Sequence, residues 1–256
     1  MVTVLLQKSQ MDKIGFWNVR GMNRVGKQKA INFFLQNKDI RLFGLLETKI
    51  KSRALKKVVN NFNNWCISTN NGHHNGGRIW ILWQPQAVKI QFLEYNAQFI
   101  HMRVESVENR SIFYMTMVYA FNSITDRAPL WDHLRRIASQ CVADCGVIDS
   151  DATGSLFTWN NKQKPEERIY SRIDRFLINK DWCDHLPDLY AHFLPEGLMD
   201  HTPLLKRLNK EGYTDIEHST NRLQRKVHEL QEQIGKNPTD AQLLAAEFEA
   251  SQELKN

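Results

Sequence analysis

The stretch KIGFWNVRGMNRVGKQKAINFFLQNKDIRLFGLLET (residues 13–48) decides the fold class. It opens with a β-forming run (13–19) and a turn-like Arg-Gly-Met-Asn segment (20–23). Apolar residues then recur at helical spacing over 24–37, and an apolar run at 40–48 suits a buried strand. This order predicts a β-α-β opening.

The chain beyond residue 65 is rich in short β-forming runs separated by turn residues: WCIST, RIWILW, VKIQFLEY, QFIHMRVE and SIFYMTMVYA. They predict a mostly antiparallel meander. Residues 126–140 have one apolar face and predict a helix, and further strands are expected at SLFTWN, RIDRFLIN and LYAHFLP. The predicted fold is α/β: two packed mixed β-sheets flanked by helices, a four-layer sandwich.

The length of 256 residues fits one sizeable domain with an appendage. We divide the chain into an N-terminal extension (1–12), a domain (13–205) and a helical connector (206–256). No apolar run is long enough for a membrane span, so an intracellular protein is expected. The four cysteines are interpreted as free thiols. Residues 1–205 carry a net charge of +7, which attracts polyanions or serves solubility.

The connector has helical patterning of its own. Residues 214–217 have the spacing of a capping box, and an amphipathic helix is expected after them. Asn237-Pro238 ends it, and a second helix is predicted from 241. The two helices would fold on the domain or lead to another part of a longer protein.

Three segments place polar groups directly after apolar runs: WNVRG (17–21), LLETK (45–49) and LMDHTP (198–203). A carboxylate such as Glu47 is costly to bury alone, so it is either solvated at a strand end or holds a cation. Asp200-His201 could equally belong to a turn before Pro203.

The ordered set WNVRG, LLETK, VYAFN, GSLFTWNN, SRIDRFL and DHTP resembles the endonuclease/exonuclease/phosphatase superfamily. It is most similar to the endonuclease domain of plant LINE-type (non-LTR) retrotransposon polyproteins. The resemblance covers about residues 13–203, and the connector is similar to the one before the reverse transcriptase in those polyproteins. It implies a nuclear, DNA-nicking hydrolase, with the missing reverse transcriptase part as a partner.

The resemblance implies a divalent cation, Mg²⁺ or Mn²⁺, with Glu47 as its principal carboxylate. Asp200 would be a second acidic group near the metal. Asn18 would orient a water on the metal or the phosphate. The chemistry would be metal-assisted hydrolysis of a phosphodiester bond.

The remaining roles that the resemblance implies concern the phosphate. Tyr119 and Asn122 would contact the scissile phosphate and the backbone next to it. Asp174 would hold the imidazole of His201, favouring the imidazolium that binds a phosphoryl oxygen in the transition state.

Two more residues have less specific expectations. Arg172 suits a phosphate clamp, because a guanidinium matches two oxygens. Trp159 could stack on a base or pack against the sheet.

One family segment is missing. The Gly-Asp-x-Asn strand expected between VYAFN and FTW is absent, and the chain is shortened around 140–145. Asp144, Asp149 and Asp151 lack its flanking residues and are expected in loops or at helix ends. This predicts impaired activity, a gap or exposed edge in one sheet, and a second truncation after residue 205.

Two alternatives remain at this point. The chain could be a non-catalytic nucleic-acid-binding or interaction remnant that uses its basic domain. The superfamily also contains phosphatases acting on lipids or nucleotides, and a fold does not determine a substrate.

Overall fold

We describe the protein from a computed structural model. The description covers residues 2–6, 13–108, 110–140, 147–179, 191–195 and 199–207, with isolated positions in the connector. The helices are α1 (Val25–Asn37), α2 (Ser52–Val59) and α3 (Ile124–Gln140), with a short 3₁₀ helix at Pro165–Glu167. The predicted connector helices lie largely outside the described residues.

The strands are β1 (Val2–Leu6), β2 (Lys13–Asn18), β3 (Leu42–Leu46), β4 (Cys66–Thr69), β5 (Ile79–Trp83), β6 (Val88–Tyr95), β7 (Phe99–Ser106), β8 (Ile112–Val118), β9 (Val147–Asp149), β10 (Ala152–Gly154), β11 (Trp159–Asn160), β12 (Tyr170–Ser171), β13 (Phe176–Asn179), β14 (Ala191–Phe193) and β15 (Leu204–Arg207). Their order is β6-β7-β8-β1-β13-β9 in a six-stranded sheet and β10-β14-β15-β2-β3-β5-β4 in a seven-stranded sheet. A separate two-stranded ribbon pairs β11 with β12. Strands β2 and β3 are parallel and joined by α1, so the predicted β-α-β opening is confirmed.

The two mixed sheets face each other across the largest core cluster, which confirms the predicted fold class. Phe16 and Ile81 of the seven-stranded sheet share this cluster with Met102 and Met115 of the other sheet. The sheets approach closely at Gly44, where a Cβ atom would collide with the Met117 side chain. Helix α1 packs on the outer face of one sheet, and α3 packs on the outer face of the other.

Within the N-terminal extension, residues 2–6 form a central strand. β1 lies between β8 and β13, antiparallel to the first and parallel to the second. It therefore lies in the interior of the six-stranded sheet, with a hydrogen-bonded strand on each side. The predicted meander holds for β6, β7 and β8, whereas β4 and β5 belong to the other sheet. Helix α2 was not predicted.

Two expectations about the shortened regions were wrong. Asp149 is a strand residue of β9, paired with Leu177 of β13, because the segment finds a free edge there. The chain also continues into β15 after Asp-His-Thr-Pro, where β15 pairs with β2 and β14. Leu204 is fully buried on that strand, so burial of apolar side chains stabilises it. Asp144 lies outside the described residues, and Asp151 follows β9.

Candidate active site

The polar residues predicted from the sequence lie where strands of both sheets end. Asn18 is the last residue of β2, Glu47 follows β3, and Tyr119 follows β8. Asp174 precedes β13, and the Asp200-His201 pair precedes β15. The antiparallel registers bring these strand ends to one edge, because β15 begins beside the end of β2.

The loops after β2 and β3 hold each other in place. Gly21 donates its backbone N–H to the Glu47 carbonyl at 2.7 Å, and Arg20 donates to the side-chain oxygen of Asn18 at 3.1 Å. Arg20 and Glu47 both have positive φ values, 41° and 54°. Non-glycine residues adopt this conformation at a cost, so the surrounding hydrogen bonds must maintain it.

Asp174 and His201 form a buried pair. The His201 Nδ1 lies 2.7 Å from the Asp174 carboxylate, and both side chains are less than one-tenth exposed. Because a carboxylate accepts, Nδ1 carries the donated proton and Nε2 is left for another group. Thr158 fixes the start of this segment, since its hydroxyl accepts from the backbone N–H groups of Ile173 and Asp174.

Asp200 is held by two donors. The Arg20 guanidinium forms an ion pair with it, and the Trp159 indole donates to the same oxygen at 3.1 Å. Burial alone would raise the pKa of Asp200, but the bond from Arg20, the charges of His201 and Arg20, and the bond from Trp159 outweigh it and lower this pKa. Trp159 thus has a polar contact in addition to any packing or stacking role.

Arg20 interacts with Asp200 and also with the charges of Glu47 and Tyr119. Its bond to Asp200 and that residue's charge raise its pKa, and the charges of Glu47 and Tyr119 add to the effect. Burial, the charge of Glu47 and a hydrogen bond with Glu47 raise the pKa of Tyr119 to about 12. Tyr119 is therefore a neutral phenol at physiological pH, and it can donate its hydroxyl proton.

Three further cations at this edge were not predicted as site residues. Lys49 forms an ion pair with Glu47, and Arg78 reaches the Tyr119 hydroxyl at 3.4 Å. Lys27 donates to the carbonyls of Val19 and Gly21 at 3.0 and 3.1 Å. Arg20 and Lys49 belong to the WNVRG and LLETK motifs, so those motifs could have indicated both cations as site residues. Arg78 and Lys27 lie outside the motifs, and nothing in the sequence indicated their place at this edge.

Asn122 and Arg172 were also expected to contact the phosphate. Asn122 is exposed in the loop after β8. Arg172 lies 3.8 Å from Asp149 and places its guanidinium carbon 5.9 Å from the centre of the Phe193 ring. Its Nε is buried and has no hydrogen-bond partner among the described residues. Cys66 is a free thiol as predicted, and the other three cysteines lie outside the described residues.

The fit of a divalent cation depends on the oxygen donors at this edge. Within the described part of the chain, no three His, Cys, Asp or Glu side chains are grouped to hold a metal. Mg²⁺ is commonly held by only one or two carboxylates and retains several waters. Glu47 already accepts a cation, the Lys49 ammonium, and Asn18 lies on the neighbouring strand end. This small donor set fits a water-rich magnesium site.

Comparison with known proteins gives matches among solved structures. No family model and no curated protein matches the chain. The 3'-5' exonuclease NExo from Neisseria meningitidis is 15% identical with a TM-score of 0.54, over 77% of this chain and all of that one. The catalytic domain of Xenopus laevis APE2 is 14% identical with a TM-score of 0.53, over 76% and 90% of the two chains. TDP2 from D. rerio, solved with a single-strand DNA product, is 14% identical with a TM-score of 0.52, over 76% and 97%.

The chain therefore shares the overall fold of these three proteins, a sandwich of mixed sheets flanked by helices. At this level of identity the likeness concerns the fold, and function depends on the site. Among the described residues, no helix is long and apolar enough to cross a membrane.

Proposed function

We propose that this chain is a phosphodiesterase-like domain that hydrolyses DNA with a divalent cation, and that it derives from a LINE-type retrotransposon endonuclease. The observation that supports this most is the buried Asp174–His201 pair, which lies at the same edge as Glu47. A histidine that a buried aspartate orients, at an edge that also bears a carboxylate, can bind the negative charge that develops in a transition state.

In this proposal the side chains act on opposite sides of one phosphate. His201 uses Nε2 to bind a phosphoryl oxygen as negative charge develops, while Asp174 orients its ring through Nδ1. Tyr119 donates a hydrogen bond, and Arg20 and Lys49 attract the polyanion. The oxygen of water bonds to phosphorus while the bond to the 3′ oxygen breaks, a proton from that water ends on the 3′ oxygen, and a nick with a 5′-phosphate and a free 3′-hydroxyl results.

Glu47 and Asn18 would hold the Mg²⁺ or Mn²⁺ ion, and Asp200 would stand near it. When bound, the ion supplies Lewis-acid stabilisation of the charged phosphate oxygens. Glu47 must first give up the Lys49 ammonium, so occupancy depends on competition between two cations.

The proposed activity is weak. The Gly-Asp-x-Asn segment would supply the aspartate that aligns the attacking water, and this sequence contains no Gly-Asp pair. Loss of such a group lowers the rate by roughly 10²–10⁴.

A plasmid-nicking assay with Mg²⁺ tests the assignment on the full chain. Nicking by the unchanged protein should be lost in Glu47→Ala and in His201→Ala. Glu105→Ala is the matched control, since this ion-paired carboxylate lies on β7 at the opposite edge of its sheet, beside Ile112. Equal nicking by all four proteins would reject these residues as the site.

A non-catalytic nucleic-acid-binding remnant is the second candidate, and the ion pairs of Glu47 and Asp200 with Lys49 and Arg20 favour it. In such a site Lys49 and Arg20 neutralise the two carboxylates in place of a metal, and the basic excess of the domain binds the nucleic-acid backbone. Salt-dependent DNA binding without metal-dependent nicking would support this candidate.

The proposed origin also has a test of its own. Recovery of an in-frame Gly-Asp-x-Asn in the nucleotide sequence across codons 140–141 would restore a complete site. We expect such an element to act in the nucleus together with the reverse transcriptase part of its polyprotein.

A further inference from the structure

Two aromatic rings lie next to Arg78 and Tyr119, and neither ring has a role in the proposed hydrolysis. His74 and Phe121 are half-buried, and their ring centres are 5.9 Å apart at an angle of 44°. Phe121 is two residues beyond Tyr119. Burial lowers the pKa of His74, and so does the nearby charge of Arg78, which contacts Tyr119.

The loop that carries His74 is fixed by buried amides. Asn70 accepts from the backbone N–H groups of Arg78 and Ile79 at 3.0 and 2.9 Å, and it donates to the carbonyls of Asn96 and Ala97. The His74 ring is fixed in turn, because its Nδ1 accepts from the Gly76 N–H at 3.0 Å. Its plane is therefore set before any ligand binds.

The loop that carries Phe121 is fixed in the same way. The side-chain oxygen of Gln98 accepts from the Phe121 N–H, and its carbonyl accepts from the Tyr119 N–H, both at 2.8 Å. The Gln98 amide also donates to the Asp126 carbonyl at 3.1 Å. Gln98 is buried, so water does not compete for these bonds.

We propose that His74 and Phe121 form a stacking subsite for one nucleobase next to the phosphate that the site binds. This inference rests on the proposed function and names a feature of its DNA substrate, an unpaired or flipped nucleotide next to the phosphate. A base can stack on a protein ring only when its own face is free, which favours single-stranded or flipped nucleotides. Arg78 would bind the neighbouring backbone, so basic and aromatic groups alternate as such strands require.

Binding without metal separates this inference from hydrolysis. The probe is a short labelled single-stranded oligonucleotide with 2-aminopurine at its centre, used with the full chain in EDTA. A second probe carries an abasic sugar at that position. Phe121→Ala should weaken binding of the first probe about 5- to 100-fold and leave the abasic probe unchanged. Phe121→Trp should keep the preference, and 2-aminopurine emission should be quenched on binding.

His74→Ala should reduce the same preference, whereas His74→Phe should retain it. Phe33→Ala is the control, because Phe33 is 67% exposed on α1 and lies outside the site. An equal loss for both probes in Phe121→Ala, or no loss for either, would overturn the subsite. Absence of nicking by the unchanged protein would contradict the proposed hydrolysis but leave this binding result standing.

Discussion

Two pairs of side chains in the same site, one hydrogen-bonded and one ionic, differ in their access to water. His201 and Asp174 are only 6% and 8% exposed, whereas Lys49 and its partner Glu47 are 45% and 13% exposed. The first pair connects segments 27 residues apart in the chain, and the second is formed within one loop. The Asp174–His201 pair is therefore part of the folded interior, whereas water and ions can reach the Lys49–Glu47 pair and replace either partner.

This difference assigns separate tasks to the two pairs. A buried partner has no water to replace it, so Asp174 and His201 keep one geometry and orient the imidazole. An exposed pair contributes little to stability, and either member can be displaced by an ion or a phosphate. The site thus combines a rigid buried pair, Asp174 and His201, with an exposed pair, Glu47 and Lys49, at which a ligand can bind.

The largest expected effect comes from breaking the buried pair. Asp174→Ala should lower the free energy of unfolding by about 3 kcal/mol, because it leaves the buried Nδ1 donor of His201 without its partner. Denaturant unfolding followed by circular dichroism measures the change. Glu105→Ala removes a partly exposed carboxylate and should lose at most about 1 kcal/mol. Similar losses in the two variants would mean that burial does not distinguish these pairs.

An intermediate effect is expected at Asp200, which is buried but bound to the exposed Arg20. Its pKa is lowered in the folded state, so its contribution is fully present above the unfolded value near 3.9 and is lost as the pH falls through the folded value. Asp200→Asn should remove about 2 kcal/mol at neutral pH. The unfolding free energies of the two proteins should converge below pH 4. A difference that persists in acid would contradict this origin.

The sequence was sufficient for the parts of the fold and site that depend on local patterns. The β-α-β pattern predicted strands over 13–19 and 40–48, and the structure has parallel strands at Lys13–Asn18 and Leu42–Leu46, directly before Glu47. The Asp174–His201 contact followed from the family resemblance, and the structure places the two side chains together. Residues inside such motifs can therefore be placed in the fold as soon as the resemblance is recognised.

Other features depend on long-range pairing that a local pattern does not contain. No strand was predicted in the N-terminal extension, and the place of β1 between β8 and β13 depends on which edges the rest of the chain leaves free. Similarly, the contact between Arg20 and Asp200 spans 180 positions. The charged residues of the motifs did not indicate that Arg20 and Lys49 pair with Asp200 and Glu47. They also did not indicate that Arg78 approaches Tyr119.

The smallest expected effect on stability comes from opening the exposed pair. Lys49→Gln should change the free energy of unfolding by less than about 1 kcal/mol, because water replaces the ammonium at Glu47. The same change removes a competitor for the carboxylate, so the Mg²⁺ concentration for half-maximal nicking should fall by up to about fivefold. Lys51→Gln, an exposed lysine two residues later, is the matched control and should leave the metal requirement as it is. A higher metal requirement in Lys49→Gln would mean that Lys49 assists phosphate binding more than it competes at Glu47, and the exposed pair would then belong to the substrate-binding side of the site.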